Sequence, residues 1–304
     1  MSDKLSEATK KAQKTYQRIW SDPMRVHRSG EDIFLGWHLG FYEKGIRTEK
    51  EAMKNMNFYI NRLLDFNNNK YSNILDAGCG VGATLLFNAE KNPNVNFFGI
   101  ALGSNEIALA KNNQKEKNIN NANFQVKSFL KTDFPKNHFD AVYALESVSC
   151  SDKKKEFLHE MNKILKPGGR IIVVDMFRQN DSYNTFTDSS THYSFKKLEF
   201  PLRSTTIETF KSYLEAEGFK DIKIKNIMKS GNVKFFQLHG LLLTRIIQYA
   251  YVHMKTQFDE NINKNNSRKY PRFLREISII KIIFESILLF LSKTGYFSIT
   301  AIKQ

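Results

Sequence analysis

The sequence predicts an α/β fold in which a doubly wound, mostly parallel sheet of seven strands carries helices on both faces. Short apolar runs alternate with helical patterns five times after residue 70, an order typical of parallel strands joined by crossover helices. A glycine-rich turn, Gly78 to Gly82, follows the first apolar run. The fifth run, Arg170 to Phe177, contains consecutive Ile and Val residues, which suits a central strand covered on both faces.

The segment before the sheet is predicted to be helical. Residues 4–20 place apolar side chains on one helical face. Thr48 to Glu51 has the spacing of a capping box and opens a further helix. We therefore expect residues 1–70 to form a helical N-terminal cap and residues 71–304 to form the main domain.

The strands of the main domain follow from their apolar composition and from the stop signals between them. Ser104 is expected to cap the helix after the second strand. Pro167-Gly168-Gly169 is a stop signal and is predicted to end the helix before the fifth strand. After the first strand, which ends at Asp76, the next three strands are Asn96 to Ile100, Phe124 to Val126 and Phe139 to Leu145.

The last third of the chain is predicted to be more irregular. Residues 178–204 are polar and indicate a flap, and residues 230–294 indicate a helical insertion before the last strand. Between them, a capping box at Thr205 to Glu208 is expected to open a helix that Gly218 closes. The sixth strand is expected at Lys220 to Ile227 and the last at Gly295 to Ile302.

The charge balance is strongly basic. Forty-six Lys and Arg against 31 Asp and Glu give a net charge of +15, which attracts nucleic acid, an anionic membrane surface or an acidic substrate. A second interpretation stays open, because the lysines are spread along the whole chain beside many asparagines. That pattern is typical of a general compositional bias and not of one basic patch. Peripheral contact with a membrane is compatible with the charge.

The cysteines and the apolar segments restrict the class of protein. Cys79 and Cys150 are the only cysteines, too few for a disulfide framework or a zinc quartet. None of the seven histidines stands in an H-E-x-x-H pattern, so we expect no metal site. Residues 1–7 lack the apolar core of a secretory signal, and the most apolar stretch, Ile277 to Leu291, is interrupted by charges and too short to span a bilayer. A cytoplasmic protein is expected.

The stretch Asp76-Ala77-Gly78-Cys79-Gly80-Val81-Gly82 carries the clearest functional motif. Strand, glycine turn and helix form a nucleotide-type cofactor site at the carboxyl end of a parallel sheet. The order D-x-G-x-G-x-G differs from the dinucleotide fingerprint G-x-G-x-x-G and resembles the first motif of the Rossmann-like (class I) S-adenosylmethionine-dependent methyltransferases. The runs Phe139 to Ser147 and Leu165 to Gly169 are similar to the later motifs of the same enzymes.

The resemblance narrows to one branch of that family. Gly99 to Ser104 and Leu145-Glu146-Ser147 look like the branch that methylates apolar small molecules, which includes tocopherol, sterol and macrolide methyltransferases. The resemblance covers about residues 34–227 and the terminal strand. It implies S-adenosyl-L-methionine as the cofactor and a hydrophobic small molecule as the methyl acceptor.

Several cofactor contacts are implied by the resemblance. Asp76 would order the glycine turn and help to hold the amino-acid end of the cofactor, and the backbone would approach it at Gly78, Gly80 and Gly82. An acid normally ends the second strand and binds the ribose hydroxyls, but Ala101 and Leu102 stand there in this chain. Glu106 matches a glutamine that the branch places five residues later, and its carboxylate can accept from both hydroxyls. A solvated helix residue is the alternative interpretation of Glu106.

The adenine end of the cofactor site also departs from the family pattern. Ser128 stands where the family commonly has an aspartate that meets the adenine amine, and a hydroxyl can accept the same hydrogen bond. Phe129 keeps an apolar wall beside it, and Leu145 belongs to the expected cofactor contacts at the end of the fourth strand.

Three residues form the expected catalytic set. Glu146 follows the fourth strand, and a carboxylate at the end of an apolar strand is costly to bury, which indicates a functional role. It could orient the substrate, accept a proton or stabilise positive charge. His38 and Tyr42 belong to an aromatic segment that resembles the part closing over the cofactor in this branch; Trp37 and Phe41, also in it, are equally explained by core packing. Cys150 stands where the macrolide branch has a histidine, so the usual neutral-pH base is missing. This argues against base-catalysed O-methylation and leaves C-methylation as an alternative.

The sequence therefore predicts an enzyme that transfers a methyl group from S-adenosyl-L-methionine to an isoprenoid, lipid or polyketide-like acceptor, at carbon or oxygen. RNA is the second candidate acceptor because of the +15 charge, whereas DNA is not expected. A third interpretation is a non-catalytic cofactor-binding partner protein, suggested by Ala101, Ser128 and Cys150. The identity of the acceptor and the oligomeric state stay open.

Overall fold

The computed structural model describes residues 10, 13, 14, 17, 32, 34, 36, 38–68, 70–179, 205–228 and 294–304. The strands in this part of the chain are β1 (Asn73–Ala77), β2 (Asn96–Ala101), β3 (Ala122–Val126), β4 (Phe139–Leu145), β5 (Leu165–Arg178), β6 (Phe219–Asn226) and β7 (Thr294–Lys303). The helices are α1 (Glu49–Leu64), α2 (Ala83–Lys91), α3 (Ser104–Glu116), α4 (Lys154–Ile164) and α5 (Ile207–Ala216), with a short 3₁₀ turn at Val148–Cys150.

The seven strands form one sheet in the order β3-β2-β1-β4-β5-β7-β6. The pairs among β3, β2, β1, β4 and β5 are parallel, whereas β7 runs antiparallel between β5 and β6. The prediction of a mostly parallel, seven-stranded α/β sheet is therefore confirmed. The strand order reverses between β2 and β4 on either side of β1, which is the topological switch point where such sheets bind ligands.

The two faces of the sheet carry separate apolar cores. One cluster packs α1, α2 and α3 onto the sheet through side chains such as Ile60, Leu85 and Tyr143. The other packs α4 and α5 onto the opposite face through side chains such as Leu75, Phe157 and Phe210. Because successive strand residues alternate between faces, the fully buried runs of β4 and β5 supply both clusters at once.

The capping box predicted at Thr48 is confirmed, since the Thr48 hydroxyl accepts from the Glu51 amide and Glu51 accepts from the Thr48 amide. Two other predicted caps were wrong. The N-cap of α3 is Gly103, which makes no side-chain bond, and Ser104 is the first helical residue.

The capping box predicted at Thr205 to Glu208 lies one residue too early. The N-cap of α5 is Thr206, whose hydroxyl accepts from the Thr209 amide at 3.1 Å. The Thr205 carbonyl instead accepts from the Arg178 amide at 2.9 Å. Pairing with the end of β5 therefore delays the start of the helix by one residue.

Parts of the predicted organisation lie outside the described residues. The flap at residues 178–204 is described only at its first two positions, and the helical insertion at 230–294 only at Thr294, the first residue of β7. In the N-terminal cap, Lys10, Gln13, Lys14 and Gln17 are helical. None of the helices in the described ranges combines the length and apolar character needed to cross a membrane.

Candidate active site

A pocket opens at the carboxyl ends of β1, β2 and β4 and holds about 1030 Å³ of space, its open mouth included. Of the thirteen residues that the sequence predicts for the site, eleven line this pocket. They are His38, Asp76, Gly78, Gly80, Ala101, Leu102, Glu106, Ser128, Phe129, Leu145 and Glu146.

Asp76 lies at the floor of the pocket, near the end of β1, and is 3% exposed. Burial raises the pKa of its carboxyl from 3.8 to about 7, and the Tyr143 hydroxyl offsets part of that rise. A carboxyl in this environment binds a proton or a cationic ligand readily near neutral pH, because either one removes the cost of a buried negative charge.

The glycine turn folds tightly between β1 and α2. The amides of Gly78 and Cys79 both donate to the Ile100 carbonyl at 3.0 Å, which ties the turn to β2. Gly78 has a φ of +111°, and a Cβ there would lie 2.3 Å from the Cβ of Ser147. The turn therefore requires glycine at this position for conformation and for close packing against the segment after β4.

Gly82 occupies a different position from the other two glycines of the motif. It is the N-cap of α2, with a φ of +80°, and it does not belong to the described pocket wall. A Cβ at Gly82 would lie 2.7 Å from Cζ of Phe124. The missing side chain thus serves the packing of α2 against β3, and backbone contact between Gly82 and a cofactor stays a prediction.

Glu106 lies in the pocket wall and is 5% exposed, so the alternative of a solvated helix residue does not hold. A Cβ on Gly103 would lie 2.3 Å from its Oε2, and a Cβ on Gly80 would lie 3.8 Å from its Oε1. Its carboxylate therefore spans the gap between the end of β2 and the glycine turn. Ala101 and Leu102 line the same wall without contributing a charge.

Two described residues near the N-terminus, Gln13 and Gln17, contact this wall. The Gln13 side-chain amide donates to the Leu102 carbonyl at 2.9 Å, and the Asn105 side-chain amide donates to the Gln17 carbonyl at 2.9 Å. These two residues thus contact the end of β2 and the first turn of α3, the helix that carries Glu106.

The wall after β3 is formed by Ser128 and Phe129. The Ser128 hydroxyl accepts from the Leu130 amide at 3.2 Å, so part of its hydrogen-bonding capacity fixes the local turn. Phe129 packs edge-on against Phe157 of α4, with ring centroids 5.2 Å apart. The rigid ring presents an apolar surface to the pocket.

Glu146 joins three distant segments of the chain at the pocket wall. Its backbone has a φ of +50°, in the left-handed region, and its amide donates to the Val174 carbonyl at 2.9 Å. Its Oε1 accepts from the Leu39 amide at 2.5 Å and from the Tyr296 hydroxyl at 2.8 Å. A non-glycine residue in the left-handed region costs about 1 kcal/mol or more, and these contacts hold it there.

His38 and Tyr42 are placed differently from each other. His38 is 4% exposed, lines the pocket, and has its Nδ1 3.0 Å from the Leu39 carbonyl oxygen. Tyr42 is buried but does not belong to the described pocket wall. Burial, and then the nearby Glu49 charge, raise the pKa of the Tyr42 hydroxyl. Its catalytic role stays a prediction, and Trp37 lies outside the described residues.

Sequence reasoning missed several residues of the pocket wall, among them Ser147, Ser151 and Lys127. The Ser147 hydroxyl donates to the Ala77 carbonyl at 2.7 Å, which locks the segment after β4 to the end of β1. Its place directly after Glu146 was a signal that could have found it. The fully buried Asp175 also acts here, because its Oδ2 accepts from the Ser149 amide at 2.8 Å and fixes the 3₁₀ turn.

Both cysteines line the pocket. Burial, and then the charges of Asp76 and Glu106, raise the pKa of the Cys79 thiol well above its ordinary value, so it is a thiol and not a nucleophilic thiolate at neutral pH. Cys150 is the last residue of the 3₁₀ turn. Within the described ranges, no group of three or more His, Cys, Asp and Glu residues is arranged to hold a metal ion.

Two curated relatives illustrate what this chain is similar to. The sterol 4-C-methyltransferase of Caenorhabditis elegans is 27% identical over 195 residues, which is 62% of this chain and 55% of that protein. The O-methyltransferase rstn1 of Aspergillus nomiae is 27% identical over 201 residues, covering 64% of this chain and 86% of that protein. The chain thus spans only about half the length of the first relative.

A solved structure shows the same fold over almost the whole chain. The geranyl diphosphate C-methyltransferase from Streptomyces coelicolor, in complex with Mg²⁺, geranyl diphosphate and S-adenosyl-L-homocysteine, superposes with a TM-score of 0.63 at 15% identity. The superposition covers 96% of this chain and 97% of that one.

The glycine turn, six of the seven strands of the sheet and most of the pocket wall fall within one matched region. Residues 68–231, more than half of the chain, match a methyltransferase domain, and the chain therefore belongs to the family of Rossmann-like, S-adenosylmethionine-dependent methyltransferases.

Proposed function

We propose that this protein transfers a methyl group from S-adenosyl-L-methionine to a hydrophobic small molecule of isoprenoid, lipid or polyketide-like type, at a carbon or oxygen atom. The observation that carries the proposal is the pocket itself. It combines two buried carboxylates at the glycine-turn end, Asp76 and Glu106, with a third carboxylate, Glu146, held at the end of β4.

The residues at the glycine-turn end fit the cofactor chemically. The buried Asp76 carboxyl suits the ammonium group of the amino-acid end, because a cation beside it would remove the cost of its buried charge. Glu106 has two acceptor oxygens between Gly80 and Gly103, which suits a pair of ribose hydroxyls. Phe129 and Leu102 supply apolar walls for an aromatic base. When bound, the cofactor supplies an electrophilic methyl group on a sulfonium.

The other end of the pocket suits an apolar acceptor. Glu146 is held by two donors from different segments, so its carboxylate has a fixed position from which it can orient an acceptor, take a proton or stabilise positive charge. His38 lines the same pocket and is the second candidate base. Since the leaving group is already a good one, the protein's contribution rests chiefly on holding the acceptor in line and excluding water.

Some of the relatives support an apolar acceptor without identifying it. Their names include a sterol C-methyltransferase and an O-methyltransferase, and the superposed structure contains a prenyl diphosphate. Cys150 at the 3₁₀ turn replaces the histidine expected from the resemblance to the macrolide branch, so the acceptor side lacks that neutral-pH base. This favours carbon over oxygen as the methylated atom.

Calorimetric titration with S-adenosyl-L-methionine tests the cofactor end. We expect a Kd of about micromolar for the parent protein, loss of binding in Asp76→Ala, and retained binding in Glu146→Ala. Glu156→Ala, on the exposed face of α4, is the matched control for loss of a carboxylate. Absence of binding by the parent protein would refute the proposal.

A transfer assay tests the acceptor end. The donor carries a tritiated methyl group, and the candidate acceptors are sterols, prenyl diphosphates, tocopherol-type phenols and total RNA. Label recovered in an apolar acceptor by the parent, and strongly reduced in Glu146→Ala, supports the proposal. Label recovered in RNA alone would replace the proposed acceptor class. Tight cofactor binding without transfer to any of them would favour a non-catalytic cofactor-binding partner protein.

A further inference from the structure

One row of the sheet brings Tyr143 beside Asp76. The register joins Gly99 of β2, Asp76 of β1, Tyr143 of β4 and Ile172 of β5 as successive partners across the sheet. Partners in register present their side chains on the same face. Gly99 has no side chain and Ile172 is apolar and one strand further away. Tyr143 is therefore the neighbour in this row that offers a polar group to Asp76.

The Tyr143 hydroxyl has no evident structural use elsewhere. The residue is 0% exposed and packs in an otherwise apolar cluster. Within the described ranges, no acceptor meets its hydroxyl at full hydrogen-bond geometry. An unsatisfied buried hydroxyl costs roughly 1–3 kcal/mol, so phenylalanine would fill the same space more cheaply. The Tyr143 hydroxyl is thus buried beside one charged group, the Asp76 carboxyl on the neighbouring strand.

We propose that Tyr143 is a positioning residue for the cofactor: its hydroxyl donates to the Asp76 carboxylate and holds it, ionised and oriented, for the ammonium group of S-adenosyl-L-methionine. The inference rests on the proposed function, because it assigns the ligand of Asp76. It concerns a residue outside the pocket wall that acts only through another side chain.

The direction of the effect follows from the chemistry of the two groups. Burial, and then the Asp76 charge, raise the pKa of the Tyr143 hydroxyl well above its ordinary value, so the hydroxyl stays protonated and is a donor at neutral pH. A donor stabilises the ionised carboxylate and lowers its pKa. Without the hydroxyl, the pKa of Asp76 would rise above its value of about 7.

Other ionisable groups face the same space and do not replace this donor. The Cys79 thiol belongs to the glycine turn and is protonated at neutral pH. The Lys127 ammonium donates to the Thr132 carbonyl at 2.6 Å. From the cap, α3 and the segments after β3 and β4, the ionisable groups of the pocket wall are His38, Glu106, Lys127, Cys150 and Glu146. The two carboxylates among them, Glu106 and Glu146, accept hydrogen bonds when ionised and do not donate to Asp76.

The first experiment measures the pKa of the Asp76 carboxyl in the ligand-free protein. The carboxyl carbon of Asp76 is labelled with ¹³C, assigned by its absence in Asp76→Asn, and titrated by NMR from pH 5 to 9. In Tyr143→Phe we expect the midpoint to rise by about one pH unit. Tyr59→Phe is the matched control, since it removes another buried tyrosine hydroxyl, one that bonds to Ser298 at 2.7 Å. Equal midpoints in Tyr143→Phe and the parent would overturn the inference.

The second experiment measures affinity for S-adenosyl-L-homocysteine between pH 6 and 9. A one-unit rise of the midpoint above about 7 predicts a loss of about tenfold at pH 6 and about fivefold at pH 7 in Tyr143→Phe, shrinking toward pH 9. Methylthioadenosine lacks the amino-acid end, so its affinity should be equal in Tyr143→Phe and the parent at every pH. An equal loss of affinity for methylthioadenosine would indicate general damage and overturn the positioning role.

The outcomes separate this inference from the proposed function. If the parent binds S-adenosyl-L-homocysteine and Tyr143→Phe binds it equally at every pH, the inference fails and the proposed function stands. If the parent does not bind the ligand, the proposed function fails, and so does the role of Tyr143 in cofactor binding. The ligand-free NMR titration still decides whether the two side chains interact.

Discussion

Replacing Asp76 with asparagine should make the ligand-free protein more stable at alkaline pH. Asp76 is 3% exposed, and burial raises the pKa of its carboxyl from 3.8 to about 7. Asparagine has nearly the same shape and carries no charge at any pH, so Asp76→Asn removes the cost of ionising a buried carboxyl. The gain should appear only in the pH range in which the unfolded chain has released this proton.

The sign and the size follow from the two pKa values. Between pH 3.8 and about 7 the folded parent keeps the Asp76 proton and the unfolded chain has lost it, so the free energy of unfolding falls as pH rises. At ~1.36 kcal/mol per pH unit, the whole window corresponds to about 4 kcal/mol. Between pH 5 and pH 8 the stability of Asp76→Asn relative to the parent should therefore increase by about 3 kcal/mol.

Urea denaturation of both proteins at several pH values measures this difference. Other groups titrate equally in both proteins and cancel in the comparison. A stability difference that stays constant from pH 5 to 8 would refute the reasoning, because it would mean that Asp76 titrates in the folded protein as it does in the unfolded chain. Saturating S-adenosyl-L-homocysteine should reverse the order, since only the parent would gain stability from the ligand.

Three further predictions concern the turn, a helix cap and the ribose end of the site. Gly82→Ala should lower the free energy of unfolding by more than the roughly 1–2 kcal/mol that a positive φ costs alone. Gly168→Ala, with a φ of +75° and open space around its Cβ, should lower it only by that backbone cost. Urea denaturation compares the two variants, and equal losses of stability would contradict the packing role of Gly82. Thr206→Ala should lose about 1 kcal/mol of stability and Thr205→Ala almost none; the reverse order would restore the cap predicted from sequence. Glu106→Ala should weaken S-adenosyl-L-homocysteine binding by roughly tenfold or more in calorimetry, and unchanged affinity would exclude Glu106 from the ribose site.

The sequence was most informative where local pattern and chemistry coincide. The alternation of apolar strands with helices predicts the sheet, and the motif from Asp76 to Gly82 predicts the position of the pocket. Both depend on short-range features, namely the period of apolar residues and the conformational freedom of glycine. Ten of the eleven predicted site residues in the pocket follow or end a strand of the sheet, and they meet because the carboxyl ends of parallel strands lie at one edge; His38 comes from the cap.

The rest depended on contacts between distant parts of the chain. The Leu39 amide and the Tyr296 hydroxyl meet Glu146 across separations of 107 and 150 residues, and no local pattern encodes such contacts. The neighbourhood of Asp76 and Tyr143 required the register between β1 and β4. The start of α5 was misplaced by one residue because two adjacent threonines are equally good caps in sequence. Pairing with the end of β5 decides between them.

The position of β7 has a consequence for how the protein is made. The strand at residues 294–303 lies between β5 and β6, which are synthesised more than a hundred and about seventy residues earlier, respectively. Until β7 emerges from the ribosome, β5 and β6 have no strand between them and each presents an unpaired edge, a template for aggregation. Glu146 also lacks its Tyr296 partner during that time. Translation therefore completes the sheet and the hydrogen bonds of Glu146 in the same late step. A nascent chain stalled before residue 294 should depend strongly on chaperones.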